Sequence, residues 1–159
     1  VKDEKTGTVT LERELPAPPE RVFRALTSPD DLATWWKGMH GISRAVMDLR
    51  PGGKYRFEYA MPNGQIAVVH GVVREVESPR RLVMTWFSPD QPSLETVVSF
   101  HLEPKGKGTL LKLRHTGLTD PKALEGHLQG WLEALGLLIT WFAAAGPMFT
   151  AGAQGSRDR

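Results

Sequence analysis

The segment from Asp120 to Pro147 constrains the fold more than any other. Asp120 suits a helix N-cap, Pro121 a first helical residue, and Gly146-Pro147 a C-terminal glycine followed by a breaker. Between them Leu124, Leu128, Trp131, Leu135, Leu138 and Phe142 recur at intervals of three and four, the signature of a wide apolar stripe. A helix of about 25 residues is roughly 38 Å long. Leu137, Ile139 and Trp141 extend the stripe, so the second half of this helix is expected to be nearly enclosed. So long an apolar face needs a broad apolar partner.

The preceding sequence supplies one. Thr8 to Leu15 alternates as a strand, with Val9, Leu11 and Leu15 on one side. Pro18-Pro19 then opens a helix through Val22, Phe23 and Leu26, and Ser28-Pro29-Asp30-Asp31 caps a second, short one carrying Leu32, Trp35 and Trp36. Strands follow at regular spacing: a weak one at Ala45 to Leu49, then Lys54 to Ala60 and Ile66 to Val76. Tyr55, Phe57 and Tyr59 share one face, opposite Lys54, Arg56 and Glu58. Pro62-Asn63-Gly64 reads as a type I′ hairpin turn. Leu82, Met84 and Trp86 mark the inner side of the next strand. A loop from Ser88 to Ser93 leads to a strand that groups Thr96, Val98, Phe100 and Leu102. The last strand, Thr109 to Thr116, aligns Leu111, Leu113 and His115.

The expected fold is therefore α+β: a curved antiparallel sheet of about 6–7 strands, two short helices after the first, and a long C-terminal helix in a helix-grip arrangement. Residues 1–149 are expected to form one domain and residues 150–159 a disordered tail. One helix is only about 10–12 Å wide, so sheet and helix leave a gap unless large side chains fill it. The candidate ligand-binding residues are Tyr55, Phe57, Tyr59, Met84, Trp86, Val98, Phe100, Leu113 and His115 from the sheet, with Trp131, Leu135 and Leu138 from the long helix. Trp35, Trp36 and Met39 are placed to close one mouth. The same spacings equally describe plain core.

Composition narrows the chemistry. With no cysteine, thiol nucleophiles, disulfides and Cys-based zinc sites are excluded. There is no His-x-His or His-Glu-x-x-His, so no metal or other cofactor is expected. A net charge of +2 without a basic cluster argues against nucleic acid as a partner. The residues from Val1 to Glu14 are charged throughout and do not read as a signal peptide. The apolar run Ala134 to Ala145 falls short of the ~20 residues that span a bilayer, so no membrane partner and a cytoplasmic location are expected. His115, inward by parity, is a weak catalytic candidate beside its structural alternative, a histidine bonded to a loop carbonyl. His127 faces the seam or caps a loop, and the facing of His70 and His101 is open.

Several segments, in order, resemble a known family. They are TVTLERELPAPPERVFRAL at Thr8 to Leu26, LATWW at Leu32 to Trp36 and PGGKYRF at Pro51 to Phe57. GVVREVESPRRLVMTW at Gly71 to Trp86, ETVVSFHL at Glu95 to Leu102, GTLLKLRHTGL at Gly108 to Leu118 and HLQGWLEALGLL at His127 to Leu138 continue the series. The set resembles the SRPBCC superfamily, in its branch homologous to the C-terminal domain of the activator of heat-shock protein 90 ATPase. That resemblance implies a helix-grip fold with a hydrophobic cavity between sheet and long helix. It implies as function the binding of a small, mostly hydrophobic molecule. A polyketide cyclase- or dehydrase-like enzyme using a cavity His is the alternative, and a stress-related co-chaperone a second. The activators use an additional N-terminal domain, for which the 159 residues leave no expected room. The apolar end of the long helix is read as core or as a homodimer contact.

Overall fold

The computed structural model describes residues 1–37 and 41–145. The expected helix stop at Gly146-Pro147, the tail at 150–159 and the candidate Met39 lie outside them. Among the described residues eight strands form one antiparallel sheet: β1 (Lys2–Asp3), β2 (Thr8–Leu15), β3 (Ile42–Met47), β4 (Lys54–Ala60), β5 (Ile66–Glu77), β6 (Arg81–Ser88), β7 (Gln91–Lys105) and β8 (Gly108–Thr116). Their spatial order is β1-β2-β8-β7-β6-β5-β4-β3. Helices α1 (Pro19–Thr27) and α2 (Pro29–Trp35) connect β2 to β3, and α3 (Pro121–Ala145) is the last of the described elements. This is the helix-grip architecture that the alternation and the long stripe predict.

Local chemistry explains the short helices. Ser28 Oγ accepts from the Asp31 N–H at 3.4 Å, capping α2. Trp35 Nε1 donates to the Ala25 carbonyl at 2.8 Å and locks α2 to α1. Arg21 pairs with Asp31 at 2.7 Å, and its guanidinium carbon lies 5.1 Å from the centre of the Trp141 ring, joining all three helices. Trp36 ends α2 outside helical backbone angles and stacks on Trp35 at 5.2 Å.

Four details differ from the sequence reading. The β4–β5 connection is not a type I′ turn. Gly64 N–H donates to the Met61 carbonyl and Met61 N–H to the Gln65 carbonyl, so Pro62 occupies the first central position, where its fixed φ suits a type I turn. Gly64 follows with φ +85°, completing a three-residue loop. The expected loop at Ser88 to Ser93 is a tight turn of Pro89 and Asp90, because Ser88 and Gln91 already pair as strand residues. The weak strand runs from Ile42 to Met47 instead of Ala45 to Leu49, and its register with β4 shifts between Ile42 and Arg44. The eighth strand, β1, is two residues long, too short for any alternation to mark.

The buried face of α3 is Ala123, Leu124, Trp131, Ala134, Leu135, Leu138 and Phe142, which includes every residue of the predicted stripe except Leu128, half-buried. Its second half is not enclosed: Gly136, Thr140, Ala143 and Ala144 are exposed, and Leu137, Ile139 and Trp141 are half-buried. A single helix lying on a sheet offers the sheet one side only. Residues Pro121–Ala145 are long and apolar enough by length and composition to cross a membrane, yet the apolar stripe of this helix is seated on the sheet.

Candidate functional site

The aromatic residues from both layers meet under the middle of α3. Trp131 lies 5.1 Å from Trp86, 5.7 Å from Trp36 and 5.8 Å from Phe100, centre to centre. These rings divide the space between sheet and helix in two. On the deep side lies a void of about 10 Å³, lined by residues that include Trp35, Phe57, Met84, Phe100 and Leu135. On the other side is a cleft of about 640 Å³. Tyr59, Met61, Ala67, Val69 and Trp86 form its sheet wall, with Pro89 and Asp90 from the β6–β7 turn. Ala123, Gly126, His127, Gly130 and Trp131 of α3 form the opposite wall, and Trp36 its end. Lys122, Gln129 and Glu133 add polar atoms to the helix side.

The sequence candidates therefore separate into three groups. Trp36, Tyr59, Trp86 and Trp131 line the cleft. Trp35, Phe57, Met84, Phe100 and Leu135 line the small deep void. Tyr55, Val98, Leu113, His115 and Leu138 are buried and line neither space. The cleft also takes residues the sequence reading did not single out for it: Met61, Ala67, Val69, Gly126 and Gly130. The available signal for the last two was glycine inside a helical pattern, which marks a place where a side chain is left out.

His115 is fully buried in a directed chain of hydrogen bonds. An indole N–H can only donate, so Trp131 Nε1, at 3.0 Å, makes His115 Nδ1 an acceptor. Nε2 then carries the proton and donates to Thr96 Oγ1 at 2.7 Å, and the Thr96 hydroxyl donates to the Trp86 carbonyl at 2.8 Å. Burial, and secondarily the charge of nearby His127, hold the His115 pKa well below the usual histidine value. Both ring nitrogens are engaged, and neither with a loop carbonyl. Tyr55 donates to the Thr85 carbonyl at 2.6 Å, and burial followed by the neighbouring Tyr59 pushes its phenol up. Burial also raises Tyr59, which stays protonated and a donor at neutral pH. His70 and His101 face outward, His70 stacked on Phe87 at 5.1 Å. Among the described residues no three His, Asp or Glu side chains converge as metal ligands.

A family model described as Activator of Hsp90 ATPase homolog 1-like protein matches residues 16–142. Among solved structures, a protein from Rhodobacter sphaeroides is 27% identical, with 91% of this chain and 96% of that one covered and a TM-score of 0.76. A protein from Chromobacterium violaceum is 29% identical over 86% and 96% of the two chains, with a TM-score of 0.74. CalU16 from Micromonospora echinospora is 27% identical over 91% and 82%, with a TM-score of 0.66. A search of curated proteins finds no match.

Proposed function

For a chain that belongs to the Activator of Hsp90 ATPase homolog 1-like family, whose model spans residues 16–142, we propose that the cleft binds a small, mostly apolar molecule. One observation carries this reading. Gly126 and Gly130 stand one helical turn apart on the cleft wall, and a Cβ built on either meets nothing within 4 Å. Mid-helix glycine costs about 0.5–1 kcal/mol relative to alanine. Packing does not require these glycines, and on the cleft wall they leave open space that side chains would occupy. A volume of about 640 Å³ is in the range of small-molecule sites.

The walls favour an aromatic or aliphatic body held among Trp36, Trp86, Trp131 and Val69. Apolar surface removed from water contributes about 25 cal/mol per Å². Tyr59 supplies a polar handle, since its protonated hydroxyl can donate to an acceptor on the ligand. His115 and Tyr55 are spent on internal bonds and are not needed for this role.

The test is a titration of the protein with an anilinonaphthalene dye, followed through dye and tryptophan emission. A saturable response is expected, weakened tenfold or more by Gly130→Leu, which fills the cleft without entering the core. A folded wild-type protein that gives no response to the dye or to displacing aliphatic alcohols overturns the reading.

A further inference from the structure

His127 and Ser88 contribute no apolar surface of consequence, yet they form a directed pair in which His127 lines the cleft and Ser88, 9% exposed, is not itself among the lining residues. The His127 ring lines the cleft. Its Nδ1 lies 2.7 Å from the Ala123 carbonyl oxygen, which only accepts, so Nδ1 carries the proton of the neutral ring. Nε2 is then a lone pair, 2.7 Å from Ser88 Oγ, and the Ser88 hydroxyl donates to it. Ser88 ends β6 on the same inward face as Trp86, immediately before Pro89 and Asp90, which both line the cleft.

We propose that Ser88 is a nucleophile for acyl transfer, with His127 its general base and the Ala123 carbonyl the group that fixes the base's tautomer and direction. The arrangement has the three parts that activate a hydroxyl nucleophile: a hydroxyl within hydrogen-bond reach of an imidazole lone pair, and a third group orienting the imidazole. The substrates are carboxylic esters with an apolar acyl chain. Ser88 Oγ attacks the ester carbonyl carbon while its proton passes to His127 Nε2. The new Oγ–C bond forms, the bond to the alcohol oxygen breaks, and His127 returns the proton to the departing alkoxide. Water then attacks the acyl-serine, giving a proton to His127, which passes it to Ser88 Oγ as the carboxylic acid leaves. Ester and water become acid and alcohol, with no other reactant.

This activity goes beyond ligand binding, and only the preference for a longer acyl chain rests on that reading. A short acetyl ester needs no more than the pair itself.

The experiment treats the protein with p-nitrophenyl acetate, butyrate and hexanoate, follows p-nitrophenolate release, and traps the nucleophile with an alkyl fluorophosphonate before peptide mapping. Expected are a covalent adduct on Ser88 and faster release from longer esters. Ser88→Ala, folded by circular dichroism, loses the adduct, and His127→Gln slows labelling about 100-fold or more, the scale of a lost general base. A wild-type protein labelled nowhere or at another residue overturns the proposal, whatever the variants do. Labelling of Ser88 with no dependence on acyl length supports the nucleophile and counts against the apolar cleft.

Discussion

His115 shows how a single residue acquires its chemistry from its neighbours. Trp131 fixes the tautomer by donating to Nδ1, and Thr96 accepts the remaining proton. Thr96→Val leaves a buried N–H with no acceptor, which costs about 1–3 kcal/mol. A urea titration should show that loss as a lower midpoint with an unchanged slope. The depressed pKa has a second consequence. Below about pH 6.5 the unfolded chain binds a proton that the folded His115 refuses, so stability falls as pH drops from that value toward the folded pKa. The slope approaches about 1.4 kcal/mol per pH unit. His115→Phe should reduce this acid sensitivity; an unchanged slope between pH 6.5 and 5 would show that other groups produce it.

At the scale of elements, glycines in the sheet and in α3 carry opposite meanings. Gly71 in β5 brings its backbone against Thr85 of β6, and a Cβ there runs into the Thr85 carbonyl oxygen. Thr85 in turn accepts from the Tyr55 hydroxyl through that carbonyl and from the Val72 N–H through its own hydroxyl. Gly71→Ala should therefore destabilise by about 1–3 kcal/mol, the usual cost of forced backbone shifts. Gly126→Ala and Gly130→Ala should each stabilise by about 0.5–1 kcal/mol. Thermal melts of the three variants separate these signs, and a Gly130→Ala that melts below the wild type contradicts the open space described at that position.

Over the whole molecule, the three tryptophans Trp36, Trp86 and Trp131 touch both the cleft and the deep void and form the partition between them. Trp36 is only half-buried and belongs to the end of α2, so it is the removable part of that wall. Trp36→Ala should join the two spaces and lengthen the site. Each additional ~55 Å² of apolar ligand surface that enters is worth about 1.4 kcal/mol, a factor of ten in affinity. Displacement of a bound dye by hexanol and by decanol measures this: the variant should favour decanol more than the wild type does. Equal ratios would mean that the deep space stays closed.

Alternation and helical spacing, both local properties, determined the order of the elements apart from β1, the inward faces of β2, β4, β6, β7 and β8, and most of the stripe of α3. Tyr55, Phe57 and Tyr59 had to share a face, as did Leu111, Leu113 and His115, because a strand offers only two. Inward direction, however, does not distinguish a cleft wall from a filled core. Tyr59 borders the cleft while Tyr55, four residues earlier on the same face, is buried against Thr85. That difference depends on where α3 crosses the sheet. The pairing of Ser88 with His127 is of the same kind, joining residues 39 positions apart that no local pattern links. Sequence periodicity fixes which way a side chain points; only the packing of helix on sheet decides what it meets there.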